Sequence, residues 1–415
     1  MDILNKKFLN ILKIAIRGES YEEQEELTLE EWQYIMRLAE THKVLPLIFE
    51  AVYKVPSLQP ANAPFMGNIR PRVLRQVTLQ MMKTNEFLTL NQQLQKLNVK
   101  PLVVKGIICR NMYPKPDYRL SGDEDVLIPV EQEEVCHNAM LSFGMYCAEA
   151  DEKRQEVYEV SYHKLSSPLY VELHKHLFPP ESDAYGDFNR FFEGVFERAI
   201  IEEIQGVPVY TMEYTDHLFY LICHAFKHFL HSGFGIRQVC DIIMYANTYG
   251  SKVDWERMLQ NCKEIRADLF AAALFQIGAK YLVFDAKKAC YPEKWQAIQV
   301  DETAMLEDLL SSGLYGDSNM SRKHSSNITL DTVAAQKQGK KKKNAVIASL
   351  FPSANALKVR YPYLEKRPYL LPVAWCDRIL KYRKETSQSQ DNNAVDAMKI
   401  GKQRVELMKK YGIIK

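Results

Sequence analysis

At Lys100 the hydrophobic pattern of the chain switches from helical to strand-like. Residues from about Asn5 to Leu97 carry apolar side chains at helical spacing, whereas "KPLVVKG" is a short β-branched run that ends at Gly106. A second run, "DVLIPV", covers Asp125–Val130, and "EVYEVSYHKLSSPLYVELHKHL" holds two more around a Ser-Ser-Pro turn. Helical patterns return at Thr215. The sequence therefore predicts an α+β fold with a small sheet between helical regions.

Pattern and composition divide the chain into five segments. From Met320 to Lys415 there are 21 Lys/Arg against 7 Asp/Glu, so the last part of the chain is basic. We predict a helical N-terminal region (1–97), a sheet-containing core (98–212), a helical subdomain (213–300), a flexible linker or loop (301–344) and a basic C-terminal segment packing on the body (345–415). In the first segment, Thr28 and Glu31 have the spacing of a helix-capping box, and a long helix is expected from about Pro64 to Leu97.

Composition excludes several classes of protein. With 47% hydrophobic and 26% charged residues the chain is typical of a globular protein, and its eight cysteines contain no C-x-x-C pair of a zinc ribbon. No window approaches the roughly 18 apolar residues that a membrane span needs, so we expect a cytoplasmic protein that does not bind membranes. The "GKKKKN" run has no interleaved aromatic residues, and nucleic-acid binding is therefore not indicated.

Two carboxylates stand one residue apart at the start of "DVLIPV". Side chains alternate along a strand, so Asp123 and Asp125 should share one face while Glu124 points to the other. Glu172, in "YVELHKHL", is a third candidate, because His174 shares its face and its neighbours are apolar. An Asp-x-Asp pair is often only a turn or cap. On one buried face, however, the repulsion favours a divalent ion, and oxygen ligands suit Mg²⁺ or Mn²⁺. We then expect Asp123→Asn and Asp125→Asn to keep the fold intact.

The Lys105–Gly106 step fits a strand-to-helix turn at which backbone without a Cβ approaches phosphate. Lys105 and Arg119 would supply positive charge there. Together these features favour a nucleoside triphosphate as the ligand of the predicted metal site.

The motifs "KG", "MYP", "GDEDVLI" and "VELH" resemble the uncharacterised bacterial nucleotidyltransferase family of the DNA polymerase beta-like nucleotidyltransferase superfamily. The resemblance extends through "DHLFYLICHAFKHF", "RQVCDI" and "YPYLEKRPYLLPVAW", and so covers roughly Leu97 to Arg383. It implies a small mixed β-sheet core flanked by helical additions. It also implies two-metal transfer of a nucleoside monophosphate from an NTP such as ATP to an acceptor, with release of pyrophosphate.

The resemblance assigns roles to individual residues. Asp123 and Asp125 would hold both metals, and Glu172 would complete the triad and help to activate the acceptor. Nucleotide-binding residues would be Lys105, Gly106, Arg119, Ser121, Gly122 and His174. The chain departs from the superfamily in having Ile107 after the glycine, so Ser121 or Lys105 would replace a hydroxyl contact, and in having Glu124 where an apolar residue is usual.

Two alternatives stay open. Glu124 and Ile107 also fit a catalytically weak member that binds nucleotide and serves as an interaction module. His224, His228 and His231 share a helix face. This face would bind a metal as in a hydrolase, or turn toward the nucleotide with Arg237 and Asp241 pairing nearby, or consist of ordinary histidines. The acceptor, whether a small molecule, a glycan or a protein, and the choice of NTP are not indicated.

Overall fold

The computed structural model describes residues 1–23, 26–59, 61–313, 320–339, 354–358, 360–387 and 394–415. They form two units, one of Met1–His224 with Ile236–Thr303 and one of Ala225–Gly235 with Ala304–Lys415. The mixture of helices with a small sheet confirms the predicted α+β class. The five-segment division remains a prediction.

The first unit contains a mixed sheet of five strands in the order β1-β2-β5-β4-β3. The strands are β1 (Leu102–Val103), β2 (Glu124–Leu127), β3 (Tyr146–Cys147), β4 (Glu159–His163) and β5 (Tyr170–His174). Strands β2 and β5 are parallel, and the other neighbouring pairs are antiparallel. The predicted hairpin on either side of the Ser-Ser-Pro turn is confirmed as β4 and β5. A separate two-stranded hairpin, with Gly206 in its turn, consists of β6 (Ile200–Ile204) and β7 (Val207–Thr211).

One face of the sheet packs into the core. Val126 of β2, Val160 of β4, and Val171 and Leu173 of β5 are almost fully buried and alternate with polar residues. Because side chains alternate along a strand, Asp125, Glu172 and His174 share the opposite face. Packing of the apolar face therefore fixes the register of the strands, and this register aligns the side chains on the polar face.

Twelve helices accompany these strands in the described chain up to Gln296. They are α1 (Ile3–Arg17), α2 (Leu29–Thr41), α3 (Leu45–Val52), α4 (Met66–Lys96), α5 (Gly106–Arg110), α6 (Glu133–Ser142), α7 (Asp151–Arg154), α8 (Tyr214–His231), α9 (Ile236–Tyr249), α10 (Trp255–Glu264), α11 (Asp268–Tyr281) and α12 (Glu293–Gln296). The capping box of α2 is confirmed, because the Thr28 hydroxyl accepts the Glu31 N–H while Glu31 accepts the Thr28 N–H. Helix α4 confirms the predicted long helix.

Helix α4 fixes the loop that leads into β2. The Lys83 ammonium donates to the carbonyl oxygens of Ser121 and Gly122, at 2.8 and 2.6 Å. One turn earlier, Gln80 Oε1 accepts the Ser121 N–H at 2.8 Å. The loop therefore holds Asp123 close to a rigid helix.

The segment 301–344, predicted to be a flexible linker or loop, contains helices where the structure describes it. Helices there and beyond are α13 (Glu302–Ser312), α14 (Met320–Lys337), α15 (Ala354–Leu357), α16 (Tyr363–Lys366), α17 (Leu371–Ser387) and α18 (Ala394–Lys410). Helix α14 buries small hydroxyl residues, Ser325 and Thr329, and Thr329 donates to the Leu230 carbonyl at 2.6 Å. Its low apolar content therefore gave no helical signal. The "GKKKKN" run falls almost wholly outside the described residues, as do 314–319 and 345–353.

No described helix has both the length and the apolar character that crossing a bilayer requires.

Candidate active site

Two strands bring the acidic side chains together. The parallel register of β2 and β5 sets Asp125 beside Glu172, and His174 lies one pleat further along β5. One ligand atom from each of these three residues lies within 4.8 Å of the others. His174 Nε2 is 3.5 Å from Asp125 Oδ1 and 3.8 Å from Glu172 Oε2. The structure therefore forms a compact group of two carboxylates and an imidazole.

Asp123, the other predicted catalytic aspartate, lies just before β2 and is partly exposed. Its negative charge is close enough to contribute to the raised pKa of Glu172. It is not a member of the three-residue group. The structure thus places Asp123 at the rim of the site and His174 within it.

A lysine and a second histidine border the same carboxylates. Lys105 Nζ is buried 3.1 Å from Asp125 Oδ2 and 3.3 Å from Nε2 of His224, which is carried by α8. Lys105 thus supplies positive charge beside Asp125, at the strand-to-helix turn between β1 and α5 that the sequence predicted. Among the α8 histidines, His224 is the one that faces this site, and within the described chain the three form no metal-binding group.

The two central carboxylates have opposite electrostatic environments. Burial would raise the pKa of Asp125, but Lys105 and His174 outweigh it and hold this pKa well below the usual range. Burial, together with the charges of Asp123 and Asp125, raises the pKa of Glu172 to about 7. Burial opposes the protonation of His174, yet Asp125 outweighs it and raises the pKa of this imidazole. Asp125 is therefore firmly ionised, while His174, 3.8 Å from Glu172, does not offset the effects that raise the pKa of that carboxyl.

These donors fit a divalent cation. Carboxylate oxygens and an imidazole nitrogen are ordinary metal ligands, and a cation would relieve the repulsion around Glu172. Both ring nitrogens of His174 are buried and make no hydrogen bond with any described residue. Unsatisfied buried polar atoms are costly, so they indicate that this pocket takes a ligand.

Glu124 has a structural role on the opposite face of the sheet. Its carboxylate is fully buried and accepts the Ile107 N–H at 2.9 Å and an Arg110 N–H at 2.6 Å. Ser121 also donates to it, at 3.2 Å. A Cβ on Gly106 would lie 1.9 Å from Glu124 Oε2, and the Gly106 φ is +34°. In this structure Gly106 therefore makes room for Glu124, whereas the sequence analysis placed it beneath a triphosphate.

Arg119, predicted to bind nucleotide, is engaged within the fold. Its guanidinium is completely buried and donates to both oxygens of Asp241, at 3.0 and 2.5 Å. Tyr113 donates to the same carboxylate at 2.9 Å. The expected pairing of Arg237 with Asp241 is absent from the ion pairs of the described residues, and Arg237 instead donates to the Leu120 carbonyl. The structure does not place Arg119 for a phosphate contact.

Ser121 and Gly122, also predicted to bind nucleotide, lie in the loop held by α4. The Ser121 hydroxyl accepts from Arg110 at 2.6 Å, whereas Gly122 is exposed. Sequence reasoning missed Lys83 because α4 was interpreted only through its apolar stripe. Polar residues at helical spacing within that helix, Gln80, Lys83 and Thr84, were the available signal.

The chain matches the model of the uncharacterised nucleotidyltransferase family over residues 28–282, more than half its length, and it belongs to that family. The matched region includes every predicted site residue.

Among solved structures, the chain is similar to an antigenic nucleotidyltransferase-like protein from Paracoccidioides brasiliensis. The two are 14% identical with a TM-score of 0.29, and the similarity covers 50% of this chain and 95% of the other. No curated protein matches the sequence.

Gly106→Ala should lower the free energy of unfolding by about 2–4 kcal/mol, because the new methyl group collides with the Glu124 carboxylate in a strained backbone conformation. Gly122→Ala is the matched control. A Cβ there meets nothing within 4 Å, so its effect should stay within about 0.5 kcal/mol. Urea unfolding of both variants measures the difference. Equal stabilities would show that Gly106 has no packing role.

Asp125→Asn should destabilise the protein in metal-free buffer by about 3 kcal/mol, since it leaves the buried Lys105 without its carboxylate. This revises the expectation that removing a like charge is harmless. Chemical denaturation in EDTA measures the effect, and an unchanged midpoint would contradict the pairing.

Glu172→Gln should instead stabilise the metal-free protein at neutral pH. The folded protein holds a proton on Glu172 up to about pH 7, against an ordinary pKa of 4.5. The folded state therefore binds more protons than the unfolded state between these values, and stability should fall as pH rises through that window. A pH series of unfolding curves should show a smaller decline for Glu172→Gln. Identical slopes for both proteins would contradict the raised pKa.

Proposed function

We propose that this protein transfers a nucleoside monophosphate from an NTP to an acceptor and releases pyrophosphate. The observation that carries the proposal is the side-by-side placement of Asp125 and Glu172 on one face of the β2–β5 pair, within a chain of a nucleotidyltransferase family. In the reaction an acceptor oxygen forms a bond to the α-phosphorus. The bond between that phosphorus and the bridging oxygen of pyrophosphate breaks, and the acceptor loses its proton.

Asp123, Asp125 and Glu172 would hold divalent metal, Mg²⁺ or Mn²⁺, which supplies charge stabilisation to the triphosphate and favours ionisation of the acceptor. We propose that two such ions take part in the transfer. Glu172 would position the metal that favours ionisation of the acceptor, and that cation would offset the like charges that raise the pKa of Glu172 to about 7. Asp125, which lies beside Glu172 on the same face of the sheet, stays ionised.

Lys105 is the positive group best placed for the phosphates. Its ammonium is held between Asp125 and His224 at the turn before α5. Ser121 and the exposed Gly122 would border the nucleotide through the loop whose carbonyl groups Lys83 holds in place. Arg119 and Gly106 act through the fold, by pairing with Asp241 and by accommodating Glu124.

Glu124 does not argue against catalysis. It is an unusual residue between two aspartates, but Arg110 neutralises it on the far side of the sheet. A catalytically weak module that binds nucleotide without turnover is the remaining alternative. We also propose that the protein is bacterial and cytoplasmic and that it belongs to the DNA polymerase beta-like superfamily. Its acceptor would be a small molecule, a glycan or a protein.

The proposal is tested with the full chain and each of ATP, GTP, CTP and UTP labelled at the α-phosphate, with Mg²⁺ or Mn²⁺. Small hydroxyl compounds, glycans and the protein itself serve as acceptors. Release of pyrophosphate together with transfer of label is expected for at least one NTP. Binding without turnover would favour the interaction module, and the absence of binding with all four would contradict the proposal.

Glu172→Gln should lower kcat by about 100-fold or more while KM for the NTP changes only a few-fold, because the loss falls on the chemical step. Glu203→Gln, on the exposed part of the β6–β7 hairpin, is the control and should be as active as the unchanged protein. Steady-state kinetics of both variants decide the matter. Full activity in Glu172→Gln would remove this residue from the mechanism.

A further inference from the structure

His174 is a buried histidine on the face of β5 that also carries Glu172. Only 5% of its side chain is exposed, yet both ring nitrogens lack a hydrogen bond with any described residue. Nε2 faces Asp125 Oδ1 at 3.5 Å and Glu172 Oε2 at 3.8 Å. These distances exceed those of hydrogen bonds, so the three atoms surround a space instead of closing on each other.

The other ring nitrogen faces a further carboxylate. β4 pairs with β5 so that Glu159 lies opposite His174, and Glu159 Oε2 is 3.6 Å from His174 Nδ1. Metal-ligating histidines commonly direct one nitrogen at the ion and the other at a carboxylate that fixes the ring and its tautomer. His174 shows the same arrangement, because Nδ1 faces Glu159 while Nε2 faces Asp125 and Glu172.

Lys105 determines which oxygen of Asp125 remains for an ion. Its ammonium is 3.1 Å from Oδ2, whereas Oδ1 is the oxygen that faces His174. A cation near Oδ2 would meet this positive charge, while a cation near Oδ1 would meet a carboxylate and an imidazole. An ion near Oδ1 would therefore have both oxygen ligands, from the carboxylates, and a nitrogen ligand, from His174.

We propose that His174 binds a divalent metal together with Asp125 and Glu172, that Glu159 is the positioning residue for its ring, and that this set favours Mn²⁺ over Mg²⁺. The inference rests on the proposed function and names its metal. Mg²⁺ takes oxygen ligands and keeps its waters, whereas imidazole is a good ligand for first-row transition ions. The nitrogen ligand should therefore give the site a higher affinity for Mn²⁺ than for Mg²⁺.

The test uses the full chain without nucleotide. Calorimetric titration with Mn²⁺ and with Mg²⁺ measures both affinities, and pulsed electron paramagnetic resonance of bound Mn²⁺ detects coupling to a ligand nitrogen. The variants are His174→Gln, Glu159→Gln and, as a matched control, His163→Gln. His163 lies at the other end of β4 and is half-buried.

We expect Mn²⁺ to bind at least about tenfold more tightly than Mg²⁺. Nitrogen coupling should disappear in His174→Gln and persist in His163→Gln. Glu159→Gln should keep the coupling and weaken Mn²⁺ binding by about tenfold or more. If His174→Gln does not fold, the control and Glu159→Gln still decide the result.

Equal affinities for the two ions, or Mn²⁺ bound without nitrogen coupling, would overturn the inference, as would a Glu159→Gln variant with unchanged Mn²⁺ affinity. NTP turnover with Mg²⁺ alongside such a result would leave the proposed function in place. Nitrogen-coupled Mn²⁺ without NTP binding would support the metal site and contradict the function.

Discussion

The parallel pairing of β2 with β5 is the constraint on which the candidate active site depends. It sets Asp125 directly beside Glu172, an arrangement that costs free energy because two carboxylates share a partly buried face. Lys105 offsets the charge of Asp125 at 3.1 Å, whereas the positive partner of Glu172 among the ion pairs of the described residues is His174, at 3.8 Å. The sheet therefore keeps Asp125 ionised and leaves Glu172 with a raised pKa, an imbalance of charge that a bound divalent cation would relieve.

The other face of β2 shows how this arrangement is held. Glu124 is buried against Arg110 and accepts the Ile107 N–H, which ties the start of α5 to the strand. Gly106 leaves the space that this carboxylate fills. The unusual acid between the two aspartates is thus part of the scaffold that places Lys105 beside Asp125.

Local patterns predicted much of the fold and part of the site. Strand alternation correctly separated Asp125 from Glu124, and the apolar flanks of Glu172 correctly indicated a strand facing the core. Side-chain partners far apart in the chain were not predictable. Arg119 pairs with Asp241, 122 residues away, and Lys83 reaches a loop 38 residues away. Helix α14 was missed because its buried side mixes apolar residues, Ile328 and Val333, with Ser325 and Thr329, whose hydroxyl groups bond to backbone carbonyls.

We expect Asp125 and Glu172 to hold jointly the ion that accompanies an NTP. Anomalous diffraction at the manganese edge, from crystals of the full chain with Mn²⁺ and non-hydrolysable NTP analogues, tests it directly. We expect a peak within bonding distance of Asp125 Oδ1 and a Glu172 oxygen, with the triphosphate on the Lys105 side. A triphosphate bound elsewhere, or manganese that contacts neither carboxylate, would contradict it.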